Sequence, residues 1–372
     1  MSWSGQQESA IKAVNTWLND EKGQQVFRLF GFAGSGKTTL AKHMAEGVEG
    51  DVLFAAYTGK AALVLRKKGC TAASTIHSLI YKAVEDPVTG HTTFVLNPDS
   101  PVGFAKLIVI DEISMVGPDL GPDLLSFGTK ILVLGDPAQL PPVKGEGFFM
   151  AGTPDVMLTE IHRQAAESPI IRMSMDVREG RGLAPGNYGD SRVVSRASLS
   201  KEEFRSLVVE ADQMLCGMNR TRQTFNTRYR EIMGITGKRE HWHPVKGDRL
   251  VCLKNSRMKG LLNGGLWEVD SVLTAKGKFE MIVTSLDEPN VCGVEVSVPF
   301  EFFQGTEKGM DWKDLKRADQ FCHGYALTVH KSQGSQWENV LLYDESHVFR
   351  EDAKKHLYTG ITRAAERVTV IT

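Results

Sequence analysis

Short runs of apolar residues recur through the first 165 positions, each followed by an amphipathic or polar stretch: VFRLF (26–30), DVLFAAY (51–57), KLIVI (106–110), KILVLG (130–135) and DVMLTE (155–160). Runs this short and continuous predict strands buried on both faces. Their alternation with helix-like segments predicts a parallel sheet flanked by helices. Beyond residue 240 the pattern changes. KGDRLVCLKN, LNGGLWEVDSVLT, FEMIVTSL and CGVEVSVPF alternate with period two around a tight turn at Asn263-Gly264-Gly265, which predicts a small β-barrel over 241–320. The continuous type returns in NVLLYDES and in the closing RVTVIT. Residues 82–103 interrupt the first pattern. Turn signals at Asp86-Pro87 and Thr89-Gly90, followed by TTFVL, predict a β-hairpin there.

The chemistry sits at the ends of the apolar runs. VFRLF leads into GFAGSGKTTL, which fits G-x-x-x-x-G-K-[ST] at Gly31, Gly36, Lys37 and Thr38, and TTLAKHMAEGV behind it reads as a helix. Strand, glycine-rich turn and helix N-terminus together aim backbone N–H groups and a helix dipole at phosphate oxygens. Lys37 is then placed for the β/γ-phosphates of a nucleoside triphosphate, and the Thr38 hydroxyl for Mg²⁺. Ligands of parallel sheets collect at the carboxyl ends of the strands. KLIVI is followed there by Asp111 and Glu112, and KILVLG by Asp136 and Gln139. Asp111 would hold Mg²⁺ through water, Glu112 would orient and deprotonate the attacking water, and Gln139 would sense the γ-phosphate.

With 372 residues the chain has room for two or three domains. No apolar stretch approaches the ~18 residues of a membrane span, and MSWSGQQES does not read as a signal peptide. The five cysteines (Cys70, Cys216, Cys252, Cys292 and Cys322) are scattered and lack C-x-x-C spacing. That argues for reduced thiols in a cytoplasmic setting and against a zinc site. The net charge of −1 does not advertise a nucleic-acid partner, but the distribution is uneven. Residues 220–259 hold eleven Lys/Arg against Glu231, Glu240 and Asp248, a local +8 that leaves −9 elsewhere, with Phe225, Tyr229 and Trp242 interleaved. Such a segment is either a strand-binding surface or a solvated basic face.

Taken in order, DEISM, GDPAQLPPV and LTEIHRQ resemble the superfamily 1 helicases, subgroup B, of the RecD-like and phage Dda type. WSGQQESAI looks like the opening motif of that family, whose Gln reads the adenine edge; the register favours Gln7 over Gln6. AAYTGKAALVLRKKG and ASTIHSLIY look like its first strand-contacting motifs, and HGYALTVHKSQGSQWENV and LYTGITRAAERVTVI like its last two. The matches run from residue 3 to 371. They imply an α/β chain of two RecA-like P-loop domains (1–81 plus 104–165, and 166–240 plus 321–372), with a hairpin insertion at 82–103 and an SH3-like β-barrel insertion at 241–320. The implied activity is ATP-dependent, 5′→3′ DNA unwinding. The implied cofactors are ATP and Mg²⁺, contacted by Gln7, Gly34, Ser35, Gly36, Lys37, Thr38, Thr39, Asp111, His162 and Gly334. Arg163 and Arg363 match the two arginines that reach the γ-phosphate, with the logic of an arginine finger.

Strand contacts carry over to Thr58, Lys60, Thr75, His77, Asn219, Thr328, His330, Lys331 and Ser332; His330 is equally readable as a structural link. In relatives an insertion at 82–103 forms a pin at the fork, which makes Phe94 the candidate tip residue, or else an inward-tucked one. Two positions depart from the family. His162 replaces the usual Tyr near the base, which bears on nucleotide selectivity, and Tyr57 replaces Pro before TGK. The implied partners are single-stranded DNA and a fork duplex, with no membrane; a single-strand-binding protein or replisome component is the candidate protein partner. A monomer in the cytoplasm of a bacterial or phage-infected cell is expected, with no tail left for a further domain. Two other functions fit the same motifs: a DNA-stimulated ATPase that displaces proteins or acts as a binding switch, and an RNA helicase.

Overall fold

The computed structural model describes residues 3–85, 92–142, 147–161, 167–235, 240–256, 258–288 and 290–372. The chain divides into two compact units, Met1–Gly182 and Leu183–Thr372. The division falls at 182 rather than at the expected 165, because the Pro169–Glu179 helix belongs to the first unit.

The first unit is built on β1 (Val26–Gly31), β2 (Val52–Ala56), β3 (Ser74–Thr75), β6 (Leu107–Asp111), β7 (Lys130–Gly135) and β8 (Val156–Leu158). They form one sheet of order β3-β2-β6-β7-β1-β8. Every pairing in it is parallel. Alternate residues of the apolar runs feed two cores. Leu107 and Val109 of β6 and Leu132 and Leu134 of β7 pack with Ala10, Val14, Leu40 and Met44 from the Gly5–Asn19 and Lys37–Glu46 helices. Ile108, Ile110, Ile131 and Val133 pack on the other face with Ile76, Ile80, Ile113 and Leu124. Burial on both faces is why these strands read as continuous apolar runs.

The insertion is a two-stranded antiparallel hairpin of β4 (Tyr81–Glu85) and β5 (Thr92–Leu96), in register from Tyr81↔Leu96 to Glu85↔Thr92. Its turn, 86–91, lies outside the described residues. Phe94 is not part of that turn. It pairs with Ala83 in mid-strand, and its ring meets His77 edge-on at 4.7 Å while remaining 60% exposed. The expectation of Phe94 at the tip is therefore corrected: period-two geometry sets it on one face of the ribbon.

The second unit contains β9 (Gly186–Tyr188), β10 (Ser191–Val194), β11 (Gln213–Cys216), β17 (Ala326–Thr328), β18 (Trp337–Tyr343) and β19 (Ala364–Ile371), ordered β17-β11-β18-β19-β10-β9. This sheet is parallel except at its β9–β10 edge. Between β11 and β17 the chain forms an antiparallel sheet of β12 (Arg249–Cys252), β13 (Leu266–Ala275), β14 (Lys278–Ser285), β15 (Val294–Pro299) and β16 (Phe321–His323), ordered β15-β14-β13-β12-β16. The last strand of this sheet lies past residue 320, outside the expected 241–320 bounds. No helix among the described residues is long and apolar enough to cross a membrane.

Candidate functional site

At the end of β1 the backbone turns left-handed twice, at Gly34 (φ 81°) and Gly36 (φ 78°). Side-chain-bearing residues avoid this conformation, and repeated use of it makes an anion-binding concavity. Gly36 is the N-cap of the Lys37–Glu46 helix and supplies no side-chain cap, so the first-turn N–H groups are left for an incoming anion. Lys37 Nζ donates to the carbonyls of Gly31 (2.5 Å) and Phe32 (3.0 Å), holding a cation inside the loop. Thr38 Oγ1 donates to Asp111 Oδ2 at 2.8 Å. Asp111 Oδ1 accepts the Glu112 N–H at 2.8 Å. Glu112 itself is left-handed (φ 55°), one of two non-glycine residues with positive φ among those described. For such a residue that conformation costs about 1–3 kcal/mol. The strain lies where the expected catalytic carboxylate must turn away from its strand.

Gln7 reaches this loop through long-range packing. Its Nε2 donates to the Ser35 carbonyl at 3.2 Å, and its Oε1 accepts the Ser4 N–H in a capping box. Its amide is thus committed to holding the loop, while the neighbouring Gln6 accepts the N–H groups of Thr159 and Glu160. Thr39 follows in the first helical turn. Gln139 lies in a turn in which its N–H donates to the Asp136 carbonyl and Asp136 Oδ1 accepts the Ala138 N–H at 3.0 Å. Asp136, in sequence only a strand-end residue, is buried and shapes the turn that presents Gln139. His162 and Arg163 lie outside the described residues. No group of three or more His, Cys, Asp or Glu among the described residues forms a protein-only metal cluster. A Thr–Asp pair suits Mg²⁺, which keeps most of its ligands as water.

The expected strand contacts divide into accessible and inaccessible ones. Thr58 caps the Gly59–Lys67 helix, accepting the Ala61 N–H at 3.1 Å, and Thr75 caps Ile76–Ile80 through Ser78. His77 and Asn219 are exposed. Lys60 is buried and has a partner of its own, and Ser332 is fully buried with Oγ donating to the Val329 carbonyl. Burial takes both side chains out of the accessible set. Thr328 is buried at the end of β17, with Oγ1 accepting the Lys331 N–H. Lys331 Nζ donates to Asn263 Oδ1 at 2.5 Å, and burial lowers its pKa.

Gly334 is left-handed (φ 75°) and precedes Ser335. The Ser335 carbonyl accepts from Arg363 Nη1 (3.3 Å), and the Thr359 carbonyl accepts from Arg363 Nε (3.1 Å). The guanidinium is buried and turned back towards the Ala353–Ile361 helix that precedes it. Glu345 carries no local signal of a role. It is buried and accepts from the N–H groups of Gly217 and Met218 and from Thr221 Oγ1 (2.6 Å), which fixes the turn that starts the Asn219–Ile232 helix.

Several cations of the basic segment are engaged within the protein, although Arg230 alone among the described ones is buried. Arg230 and Asp248 form an ion pair at 2.9 Å with both side chains buried. Arg249 donates to the Asp212 carbonyl, Lys254 to the carbonyls of Lys316 and Ala318, and Lys259 pairs with Asp319 at 2.6 Å. These charges tie the antiparallel sheet in place, and the reading of the whole segment as a strand-binding surface does not hold for them.

His330 lies 5.5 Å from Phe349, which stacks on His356 at 4.1 Å. His356 is fully buried, with neither ring nitrogen partnered. Burial pushes the pKa values of His356 and His323 down to about 3. The unfolded chain therefore takes up protons first as the pH falls. Stability present above the ordinary histidine value of about 6.5 is lost on acidification towards pH 3, at a limiting slope of about 1.4 kcal/mol per pH unit for each histidine. The urea midpoint of the second unit is expected to drop between pH 7 and pH 5, and His356→Phe to show a shallower drop. An identical pH dependence in that variant contradicts the assignment.

A profile described as an AAA domain matches residues 3–198, which is more than half of the chain. The chain belongs to the AAA domain family. A UvrD-like helicase C-terminal domain profile matches residues 323–371. Within the family its relatives are RecD-like and Pif1-type helicases. The chain is 28% identical over 376 residues to the ATP-dependent RecD2 DNA helicase of Deinococcus radiodurans, covering 94% of this chain and 47% of that protein. It is 24% identical to the ATP-dependent DNA helicase Pif1 of Campylobacter jejuni, covering 92% and 87%. The chain thus spans about half the length of the Deinococcus relative. The solved structure of Bacteroides Pif1 bound to ssDNA superposes with a TM-score of 0.57 at 19% identity, covering 99% of this chain and 92% of that one, which shows a shared fold.

Proposed function

We propose that this chain is an ATP-dependent DNA helicase that moves 5′→3′ along single-stranded DNA and separates duplex at the 81–96 hairpin. The observation that carries the reading is the meeting of Thr38 and Asp111 at 2.8 Å beside the loop that holds Lys37. A triphosphate with Mg²⁺ supplies the bond whose hydrolysis drives the motor, and the chain's residues position and polarise it. Lys37 exchanges its two carbonyl partners for phosphate oxygens. Thr38 and Asp111 are the residues that would hold Mg²⁺, Asp111 through water, and the ion would offset the charge of the phosphates. Glu112, already turned away from β6, orients a water and takes its proton. The finger role of Arg363 requires its guanidinium to leave the Thr359 and Ser335 carbonyls, which makes release of this arginine a step of the cycle. The DNA helicases among the relatives support the DNA reading, as do Val84, Phe94, Val95 and Leu96, which stand exposed on the ribbon.

Strand separation with Mg·ATP on one 5′-tailed and one 3′-tailed duplex tests the proposal. Only the 5′-tailed duplex is expected to open, and Lys37→Ala to abolish opening. Phe94→Ala is expected to slow opening about fivefold or more while leaving DNA-stimulated ATP turnover within twofold, since one lost stack is worth about 1–3 kcal/mol. The mid-strand position of Phe94 and its contact with His77 favour one second reading, a DNA-stimulated ATPase that displaces proteins without unwinding. ATP turnover stimulated by DNA with neither duplex opened selects it.

A further inference from the structure

A short segment of the second unit, Glu345 to Asp352, links β18 to the Ala353–Ile361 helix. At its start Glu345 holds the Gly217–Met218 turn, from which the Asn219–Ile232 helix begins. In its middle the Phe349 ring presses on the same turn. A Cβ on Gly217 would lie 2.9 Å from Phe349 Cε2 and 2.8 Å from Glu345 Cβ, so only glycine admits both groups. On its other sides the Phe349 ring meets His330 at 5.5 Å and stacks on His356 at 4.1 Å, with the two planes 14° apart. His356 is fully buried and neither of its ring nitrogens makes a hydrogen bond, so the ring is held by packing. The next residue, Arg350, has a positive φ of 49°. Strain of this kind persists only where the surroundings over-determine the backbone, and Glu112 is the other non-glycine case among the described residues.

These contacts join two groups of residues. On one side stand Asn219 and His330, both expected at the single strand; Asn219 is exposed and His330 half-buried. On the other side His356 lies in the helix whose Thr359 carbonyl accepts from Arg363 Nε at 3.1 Å. His356 and Thr359 are three positions apart and so share one face of that helix. The finger role of Arg363 needs this carbonyl to let it go. The His330 and His356 rings are 6.1 Å apart, farther than Phe349 is from either, so Phe349 is the closer link in both directions. A close-packed stack passes a displacement on, because opening even a small gap in it loses contact energy. We propose that Phe349 is a positioning residue that carries strand occupancy at His330 and the Asn219 turn to the His356 helix, and so times the release of Arg363. The proposal rests on the single-strand motor reading. A ring that merely filled space would change stability and leave the response to DNA as it was.

The test measures Mg·ATP turnover of the full chain with no DNA and with a saturating dT strand. Saturation keeps a change in strand affinity from being read as a change in coupling. Phe349→Leu keeps an apolar side chain and removes the flat face. Its basal turnover is expected within about twofold of the parent, and its stimulation by the strand to fall about tenfold. Phe349→Tyr restores the ring and is expected to recover most of that stimulation. Gly217→Ala displaces the ring from the opposite side and is expected to lower stimulation about fivefold or more, which supplies the answer where Phe349→Leu fails to fold. Full stimulation in a folded Phe349→Leu overturns the proposal and leaves the motor reading standing. Basal and stimulated turnover falling by the same factor, or a lower urea midpoint with stimulation intact, assigns the ring a structural role only and overturns the proposal as well. A parent chain that dT does not stimulate removes the motor reading, and the coupling role of Phe349 with it.

Discussion

Replacing Glu112 by Gln is expected to lower DNA-stimulated ATP turnover about 10³-fold while nucleotide affinity stays within about threefold of the parent. Asp111, Thr38 and Lys37 remain in place in that variant, so the groups that hold phosphate and cation are intact. Only the proton acceptor is lost. Gln preserves the side-chain volume and inherits the same left-handed backbone at residue 112, so fold stability is expected to hold. Lys37→Ala contrasts with it by losing affinity as well as turnover, because the charge removed is one that meets the ground-state phosphates. Single-turnover hydrolysis alongside equilibrium binding of a fluorescent nucleotide separates the two. If Glu112→Gln hydrolyses within tenfold of the parent, the base lies elsewhere, and Asp136 at the neighbouring strand end becomes the group to examine.

The second large effect concerns stability. Arg230→Met leaves the Asp248 carboxylate fully buried without its cation, and breaking such a pair from one side costs about 3–5 kcal/mol. The pair sits in a network. Arg230 also donates to the carbonyls of His241, His243 and Ile235, and Asp248 accepts from the Tyr325 hydroxyl (2.9 Å) and the Val245 N–H (2.7 Å). Tyr325 in turn stacks on Tyr229 at 4.3 Å. One cation thus joins the Asn219–Ile232 helix to the entry of the antiparallel sheet. Arg230→Met/Asp248→Leu is expected to recover at least half of the loss, since an apolar pair leaves no buried charge. Urea unfolding followed through Trp242, Trp267, Trp312 and Trp337 of the second unit reads both. Equal destabilisation of the single and double variants would show that packing, not uncompensated charge, sets the cost.

Much of the nucleotide site was legible without coordinates. The strands before Gly31, Asp111 and Asp136 announce themselves as continuous apolar runs, because parallel strands buried on both faces carry no polar alternation. Parallel pairing then sends all three ends to one edge of the sheet, so the gathering of Lys37, Thr38, Asp111 and Glu112 followed from the pattern itself. The hairpin at 81–96 was legible from turn residues and alternation. Which face of it Phe94 occupies depended on register with Ala83, and no local signal sets that.

By itself the sequence determined the phosphate-binding loop, the identity of the acid pair, the parallel sheet that aligns them and the place where an antiparallel segment interrupts the second unit. These are properties of residues near one another in the chain, set by backbone conformation and hydrophobic period. Only the tertiary structure decided which polar groups stay outside. Lys60 and Ser332 went in, Arg230 found Asp248 eighteen positions away, and Glu345 reached the turn before Asn219 across more than 120 residues. The Phe349 ring likewise came to rest against Gly217 and His330, which no local pattern announces. A charged or hydroxyl side chain looks the same in sequence whether it faces water or a buried partner. The difference is made by desolvation and by the partner's arrival, both of which are set by packing between distant segments.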